Sequence, residues 1–422
     1  MFAEQLFTRP YRAGESTLQG FGIWFLICDN DAIMWEIQPI DYQLLFVFWD
    51  NKKNPQQCDM AVIGTIRKCF AIVICFGLCT PAQSRTITAF ADSVRNVYHI
   101  PELGFAVISS DSVYEMHVLG YKRALSEIPA EPNDKFRIGS NTKAITGFLA
   151  AQLVKEEKIS WDTKFFDLFP EMKAESNPAY YDLSLLNLLT FRTRLFRYTY
   201  TNKEPTKKQF TGTEEEQRYQ FTQWFLQHKP VPGKDSINFS NLGYVAAGLM
   251  LEKASGKPYK QMVQELGAQL HIDFNFGQPN NIDTAQPWGH DKDLTPEPPG
   301  DNYKLSWLLP AGNINVSLPD YAKFIQLQLQ GLQGKSELLS AEEFDFLHFG
   351  LAKFAVGWFW ETDEANQVYS YNEGNPGTFL TQVYVYKDLD RAYILFANVQ
   401  SDEAETGMGV IYDELKKRYE HQ

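Results

Sequence analysis

Two periodicities divide this chain, and their order along it constrains the fold more than any single motif does. Between residues 103 and 121 the runs LGFAVIS and VYEMHVLGY flank the polar turn Ser110-Asp111-Ser112, which is the pattern of a β-hairpin. Strand rhythm returns only near the far end, in VGWFWE, QVYSY, FLTQVYVY and RAYILFANV, with Lys387-Asp388-Leu389-Asp390 as a turn. From about 140 to 350 the apolar residues recur at helical spacing instead. Ile145, Phe148, Leu149 and Leu153 do so first, then Tyr244, Leu249 and Leu251, then Tyr321, Phe324 and Leu327. Short helices also suit 86–98 and 403–419. Strands at both ends can share a sheet only if the helical middle is an insertion. The expected fold is therefore α/β in the α+β sense: one antiparallel sheet built from N- and C-terminal strands, flanked by helices, with an inserted mainly helical region.

Composition narrows the function classes. Apolar residues make up 44% and charged residues 22% of the 422, the balance of a globular protein with a sizeable core. A net charge of −13 without basic blocks argues against nucleic acid and anionic lipid as partners. Cys28, Cys58, Cys69, Cys75 and Cys79 all precede residue 84, so the main body has no disulfide framework, thiolate metal site or cysteine nucleophile. The seven histidines are scattered without ligand spacing, and neither a metal nor another cofactor is expected.

The cysteine-bearing end reads as packaging. From Met60 come MAVIGTIRK, with its basic Arg67 and Lys68, the apolar CFAIVICFGLC, and Ala82-Gln83-Ser84 as a small-x-small cleavage site. That is the layout of a secretory signal peptide, so 60–84 is expected to be removed and the product to be periplasmic or secreted. The alternative is a membrane anchor over 60–80. Residues 1–59 carry apolar scraps (FGIWFLIC, QLLFVFW) but no sustained rhythm, and are expected to be a non-domain extension. The domain proper is expected over 85–422.

Within it, Ser140-Asn141-Thr142-Lys143 follows the strand-like Phe136-Arg137-Ile138-Gly139 and opens a predicted helix. A spacing of three puts both side chains on one helix face. A serine hydroxyl is a weak nucleophile, and a nearby amine held neutral can take its proton. The helix N-terminus favours developing negative charge. Taken alone, the same four residues describe a solvated helix start better than a nucleophile.

The surrounding run FRIGSNTKAITGFLAAQLVKEEKISWDTKFFDLFPEM resembles the opening of the serine β-lactamase and penicillin-binding superfamily, in its class C-like branch of serine hydrolases. The resemblance continues through FSNLGYVAAGLMLEKASGKPY at 239–259, PAGNINVSLPDYAKF at 310–324 and NEGNPGTF at 372–379, in the family's order. It implies that Ser140 is the acylated nucleophile and Lys143 its proton partner. It further implies that the backbone N–H groups of Ser140 and Asn375 form an oxyanion hole, and that Asn241, Asn372, Gly374 and Asn375 face the substrate.

Three departures stand against it. The family's Tyr-x-Asn is here Phe239-Ser240-Asn241, and a phenyl ring carries no proton. Its Lys-Thr-Gly or His-x-Gly is here Asn372-Glu373-Gly374. After Leu188-Leu189-Thr190, its His-Thr-Ser-Gly-Leu becomes FRTRL. Tyr371, Tyr198 or Tyr200 could replace the phenol. Arg192, Arg194 and Arg197 could receive a substrate carboxylate or form local ion pairs, while His228 and His290 read as structural or surface residues. The implied function is an exported acyl-serine hydrolase of β-lactam, D-alanyl peptide or small ester. The alternative is a non-catalytic protein of the same fold binding cell-wall peptide. An unrelated structural protein would fail to bring residues 140, 241 and 374 together.

Overall fold

The computed structural model describes residues 24–28, 31–35, 86–233, 237–300 and 302–420. Residues 1–82 and 83–422 form separate units. In the first, β1 (Trp24–Cys28) pairs antiparallel with β2 (Asp31–Trp35), on and just after the apolar scrap FGIWFLIC. The rest of the expected extension, and the expected signal segment 60–84, lie outside the described residues.

The second unit opens with helix α1 (Ile87–Val97), capped by Thr86 Oγ1, which accepts from Ala89 N at 3.2 Å. Its Ile87, Ala91 and Val94 make one buried stripe. The expected hairpin follows as β3 (Glu102–Ile108) and β4 (Val113–Gly120). After β5 (Lys135–Arg137) a single 3₁₀ turn, Gly139–Asn141, leads into α2 (Thr142–Lys155). Helix α3 (Asn241–Ser255) starts at the cap Ser240 and ends at Gly256 in the left-handed region. Strands β6 (Asn275–Phe276) and β7 (Ile314–Ser317) precede α4 (Leu318–Leu332). The chain closes with β8 (Phe359–Thr362), β9 (Val368–Gly374), β10 (Leu380–Tyr386), β11 (Arg391–Ala397) and α5 (Asp402–Tyr419).

The main sheet has six strands in the order β4-β3-β11-β10-β9-β8, all antiparallel, so its last strand in sequence, β11, lies beside its first, β3. Period-two alternation sorts its side chains between two cores. Ala106, Ile108, Val383, Ile394 and Phe396 face the inserted helices, in one core with Ile145, Phe148 and Phe324. Leu103, Phe105, Val107, Tyr393 and Leu395 face α1 and α5, in a second core with Ile87, Val94, Met408, Ile411 and Leu415. α2 and α3 are apolar on nearly every side because each is surrounded by other elements, and their buried residues leave no polar face over most of their length. A smaller sheet, β5-β7-β6, was not foreseen as such, because strands of two to four residues are too short to show a period. Its role is positional: it fixes the chain just before Ser140 against the chain just after Ala311.

Candidate active site

Ser140 sits on the 3₁₀ turn and Lys143 in the first turn of α2. Their spacing brings Lys143 Nζ to 2.9 Å from Ser140 Oγ. The amine also donates to Asn241 Oδ1 at 2.9 Å and to the backbone carbonyl of Ala311 at 2.7 Å. Asn241 is delivered by the first residue of α3 and is held in turn by its Nδ2, which donates to Tyr198 O at 3.1 Å. Ala311 is delivered by the helical turn Leu309–Gly312 just before β7. Thr146, one turn along α2, ties that helical turn down by donating to Pro310 O at 2.7 Å.

Lys143 is 4% exposed, and among the described residues no carboxylate pairs with it. Burial therefore dominates its titration and lowers the ammonium to about 7. The face of Tyr244, 5.4 Å from Nζ, favours the charged form, but an aromatic face offsets only a small part of that desolvation. The hydrogen-bond inventory then has a definite outcome. An ammonium has three protons for its three neighbours. A neutral amine has two, which Asn241 Oδ1 and Ala311 O must receive because neither can donate. Its lone pair is left facing the Ser140 hydroxyl.

The end of β9 closes the other side. Gly374 pairs with Thr381. A Cβ on Gly374 would meet Ile138 O at 2.0 Å, and one on Gly139 would meet Asn375 N at 2.7 Å. The Ser140 turn thus packs backbone to backbone on Gly374-Asn375, which is why both positions need glycine. Asn141 Nδ2 donates to Thr381 Oγ1 at 2.7 Å, and Thr381 donates to Ile138 O at 3.1 Å, pinning β10 to the same turn. The Asn375 side chain is exposed and accepts from Gly377 N at 3.0 Å, so it shapes the turn beyond its own N–H.

The structure brings residues 140, 143, 241, 374 and 375 together. The remaining candidates are placed differently. Asn372 lies on the site-facing side of β9 but is 1% exposed, with Nδ2 donating to Gly357 O at 2.6 Å, so its amide supports the chain rather than opening onto the cleft. Its neighbour Glu373 turns to the opposite face, where burial first and Glu405 second raise the carboxyl to about 7. Tyr371 also faces away and donates to Glu361 at 3.0 Å. The hydroxyl of Tyr198 is buried on the side of Tyr303 and Glu204. Tyr200 lies against Gly377, on the Asn375 side of the cleft. Arg192 donates to the carbonyls of Thr190, Phe354 and Ala352, and Arg194 to that of Val231, so both tie the altered loop to the backbone. Arg197 is exposed. His290 is fully buried between Asn398 O and Ala124 N, a structural residue. His228 contacts Trp224 O.

Phe239 is 37% exposed and packs on Phe191 at 5.2 Å and Phe359 at 5.5 Å between ring centroids. Between it and Asn241, Ser240 is extended and points its hydroxyl to Phe196 O. The Ala311 carbonyl is the one partner of Lys143 that sequence reasoning did not single out, because a backbone group leaves no side-chain signature.

A fold of this kind, with a serine and a buried lysine at the junction of sheet and insertion, defines a class, and the comparisons place the chain in it. The Beta-lactamase family model matches residues 85–413, and the chain belongs to that family. Among curated proteins it is similar to Protein flp of Staphylococcus aureus strain N315, 22% identical over 312 residues, or 72% of this chain and 61% of that protein. The chain thus spans about three-fifths of the length of that relative. Among solved structures, a class C beta lactamase from Rhodobacter sphaeroides superposes with a TM-score of 0.62 at 17% identity, covering 78% of this chain and 99% of that one. The D-amino acid amidase from Ochrobactrum anthropi SV3 gives 0.63 at 16%, covering 78% and 98%. At such identities the likeness is one of fold. Among the described residues no helix is long and apolar enough to cross a membrane, and no cluster of His, Cys, Asp and Glu is placed to hold a metal ion.

Proposed function

We propose that the chain is a serine hydrolase that forms an acyl-enzyme through Ser140, with Lys143 as proton carrier, on a carbonyl substrate of ester or amide type. The observation that carries this reading is the buried amine, 2.9 Å from the hydroxyl and lowered to about 7 by burial. In acylation the Oγ–H proton passes to the Nζ lone pair while Oγ bonds the carbonyl carbon; the bond from that carbon to the alcohol or amine then breaks as the leaving group takes the proton from Nζ, which returns the amine to its neutral form. The oxygen that becomes negative is received by the N–H groups of Ser140 and Asn375. In deacylation water takes the place of the hydroxyl, and the same amine accepts its proton. A class C beta lactamase and a D-amino acid amidase among the structural neighbours support small carbonyl substrates. The segment 60–84 supports export of the domain as a periplasmic or secreted product.

A second reading, a cell-wall peptide binder without turnover, draws on Phe239 and on the engaged amide of Asn372. It leaves the amine unexplained. Holding a lysine inside without a carboxylate costs stability, and such perturbed groups cluster where chemistry is done. The test is a fluorophosphonate probe with intact-protein mass. Stoichiometric labelling of wild type and none of Ser140→Ala supports the enzyme. Absence of labelling in a folded wild type overturns it.

A further inference from the structure

The turn that carries Asn375 leans on glycine. It links Gly374, the last residue of β9, to Leu380, the first of β10, and Gly377 within it has φ +103°. Such a backbone is free to point an N–H in more than one direction, whereas a catalytic donor must be held to within about 0.5 Å. Asn375 Oδ1 accepts from Gly377 N, which fixes the turn's own shape. Beyond the packing of Gly374 on Ile138, its place is set at Thr378. Thr378 O accepts from His290 N at 2.9 Å, and Thr378 Oγ1 donates to Glu297 Oε2 at 2.5 Å. Glu297 is anchored through its backbone: its N–H donates to Gly289 O at 2.7 Å, and its carbonyl accepts from Asn280 Nδ2 at 2.9 Å.

The same carboxylate oxygen faces Arg137. Nη1 lies 3.7 Å from Glu297 Oε2, and Nη2 donates to Asn313 Oδ1 at 3.2 Å. Arg137 is 1% exposed, and among the described residues Glu297 is its one carboxylate, while Nε and Nη1 have no hydrogen-bond partner. Buried donors are normally satisfied and a buried cation is costly, so packing alone does not call for this guanidinium. Its connections do. Arg137 lies on β5 three residues before Ser140, Asn313 two residues after Ala311, whose carbonyl receives Lys143, and Thr378 three residues after Asn375. One ion pair thus joins the segments that carry the nucleophile, the acceptor of the base and the oxyanion donor.

Resting on the acyl-serine reading above, we propose that Glu297 and Arg137 are positioning residues for the oxyanion hole, holding the Asn375 N–H on the developing oxyanion through Thr378. The hold matters in the transition state, where the oxygen becomes negative, and little in the ground state. Loosening it should therefore lower the rate of acylation without weakening substrate binding.

The test is single-turnover acylation of full-length protein by a nitrophenyl ester, read as the saturating rate and the half-saturating concentration. Alongside it runs the affinity of an aryl boronic acid, which adds to Oγ as a tetrahedral anion. Thr378→Val and Glu297→Ala should each lower the saturating rate by about ten- to a hundredfold, leave the half-saturating concentration unchanged, and weaken the boronic acid by the same factor. The double variant should be no slower than either single one, because both cut the same chain. Thr378→Ser, which keeps the hydroxyl, should restore the rate. Glu297→Gln, which keeps an acceptor for Thr378 but not the charge facing Arg137, should fall between Glu297→Ala and wild type; a wild-type rate there overturns the part assigned to Arg137. If Glu297→Ala does not fold, the two Thr378 variants decide, since that side chain is only half-buried in a turn. Wild-type acylation by folded Thr378→Val, additive losses in the double variant, or a loss carried by the half-saturating concentration overturns the proposal while leaving the acyl-serine reading intact. Failure of the fluorophosphonate probe to label wild type would instead remove the reading on which it rests.

Discussion

Asn241→Asp offers a direct perturbation of the amine. It places a carboxylate oxygen where the amide oxygen now sits 2.9 Å from Lys143 Nζ, changing charge with almost no change in shape. At that distance, with an effective dielectric of about 20, the attraction is about 6 kcal/mol. That sets a ceiling of about four pKa units, at 1.36 kcal/mol each. Burying the new carboxylate takes back part of the gain, and neighbouring opposite charges usually raise a cation by about one to three units. The sign follows from the role. Only the neutral amine can take the serine proton, so wild-type acylation should fall tenfold per pH unit below about 7 and level off above it. In Asn241→Asp the rising limb should move up by about one to three units, cutting the rate at neutral pH by about ten- to a thousandfold while restoring it in alkali. The assay is the pH dependence of kcat/KM for an activated ester. Thermal unfolding runs alongside, because the new carboxylate also faces Tyr198 O in place of an N–H donor. An unshifted limb in a folded variant would refute Lys143 as the base.

Other substitutions test the frame. Gly374→Ala forces a methyl to 2.0 Å from Ile138 O and 2.4 Å from Thr381 Oγ1, so it should cost about 1–3 kcal/mol or more and abolish acylation, read by unfolding and probe labelling. Arg192→Ala removes donors from three backbone carbonyls and should lower stability by about 1–3 kcal/mol; it should not raise KM selectively for carboxylate-bearing esters, which separates bracing from substrate capture. Ser401→Ala deletes the cap of α5 and should cost about 1 kcal/mol in denaturant unfolding without changing acylation.

Much of this arrangement was legible in the chain, and the boundary has physical causes. The main sheet was readable because its strands are long enough to show alternation and lie at opposite ends, which forces the helical middle to be an insertion. Ser140 and Lys143 could be paired from their spacing at a helix start, whereas Asn241 entered only through the family resemblance; the structure brings the three side chains together. Side-chain direction on β9 was not. Asn372 and Tyr371 are neighbours in sequence, yet they face opposite sides of the sheet, and only the register against β10 decides which side holds the serine. The loop arginines could be read as a solvated turn with local ion pairs or as substrate ligands because charge is visible in a sequence, whereas the carbonyls that bind them are not. The same blindness hid Ala311, whose contribution to the lysine's environment is entirely backbone.

The central claim is that Ser140 becomes covalently acylated by substrate while Lys143 supplies the base. The most direct measurement mixes full-length protein with a phenyl ester, quenches in acid within the first turnover, and maps the adduct by peptide mass spectrometry. The account predicts one acyl group on the peptide bearing Ser140, present in wild type, absent in Ser140→Ala, and forming more slowly below pH 7 than above it. Ester hydrolysis without an adduct, or with the adduct on another residue, would contradict it.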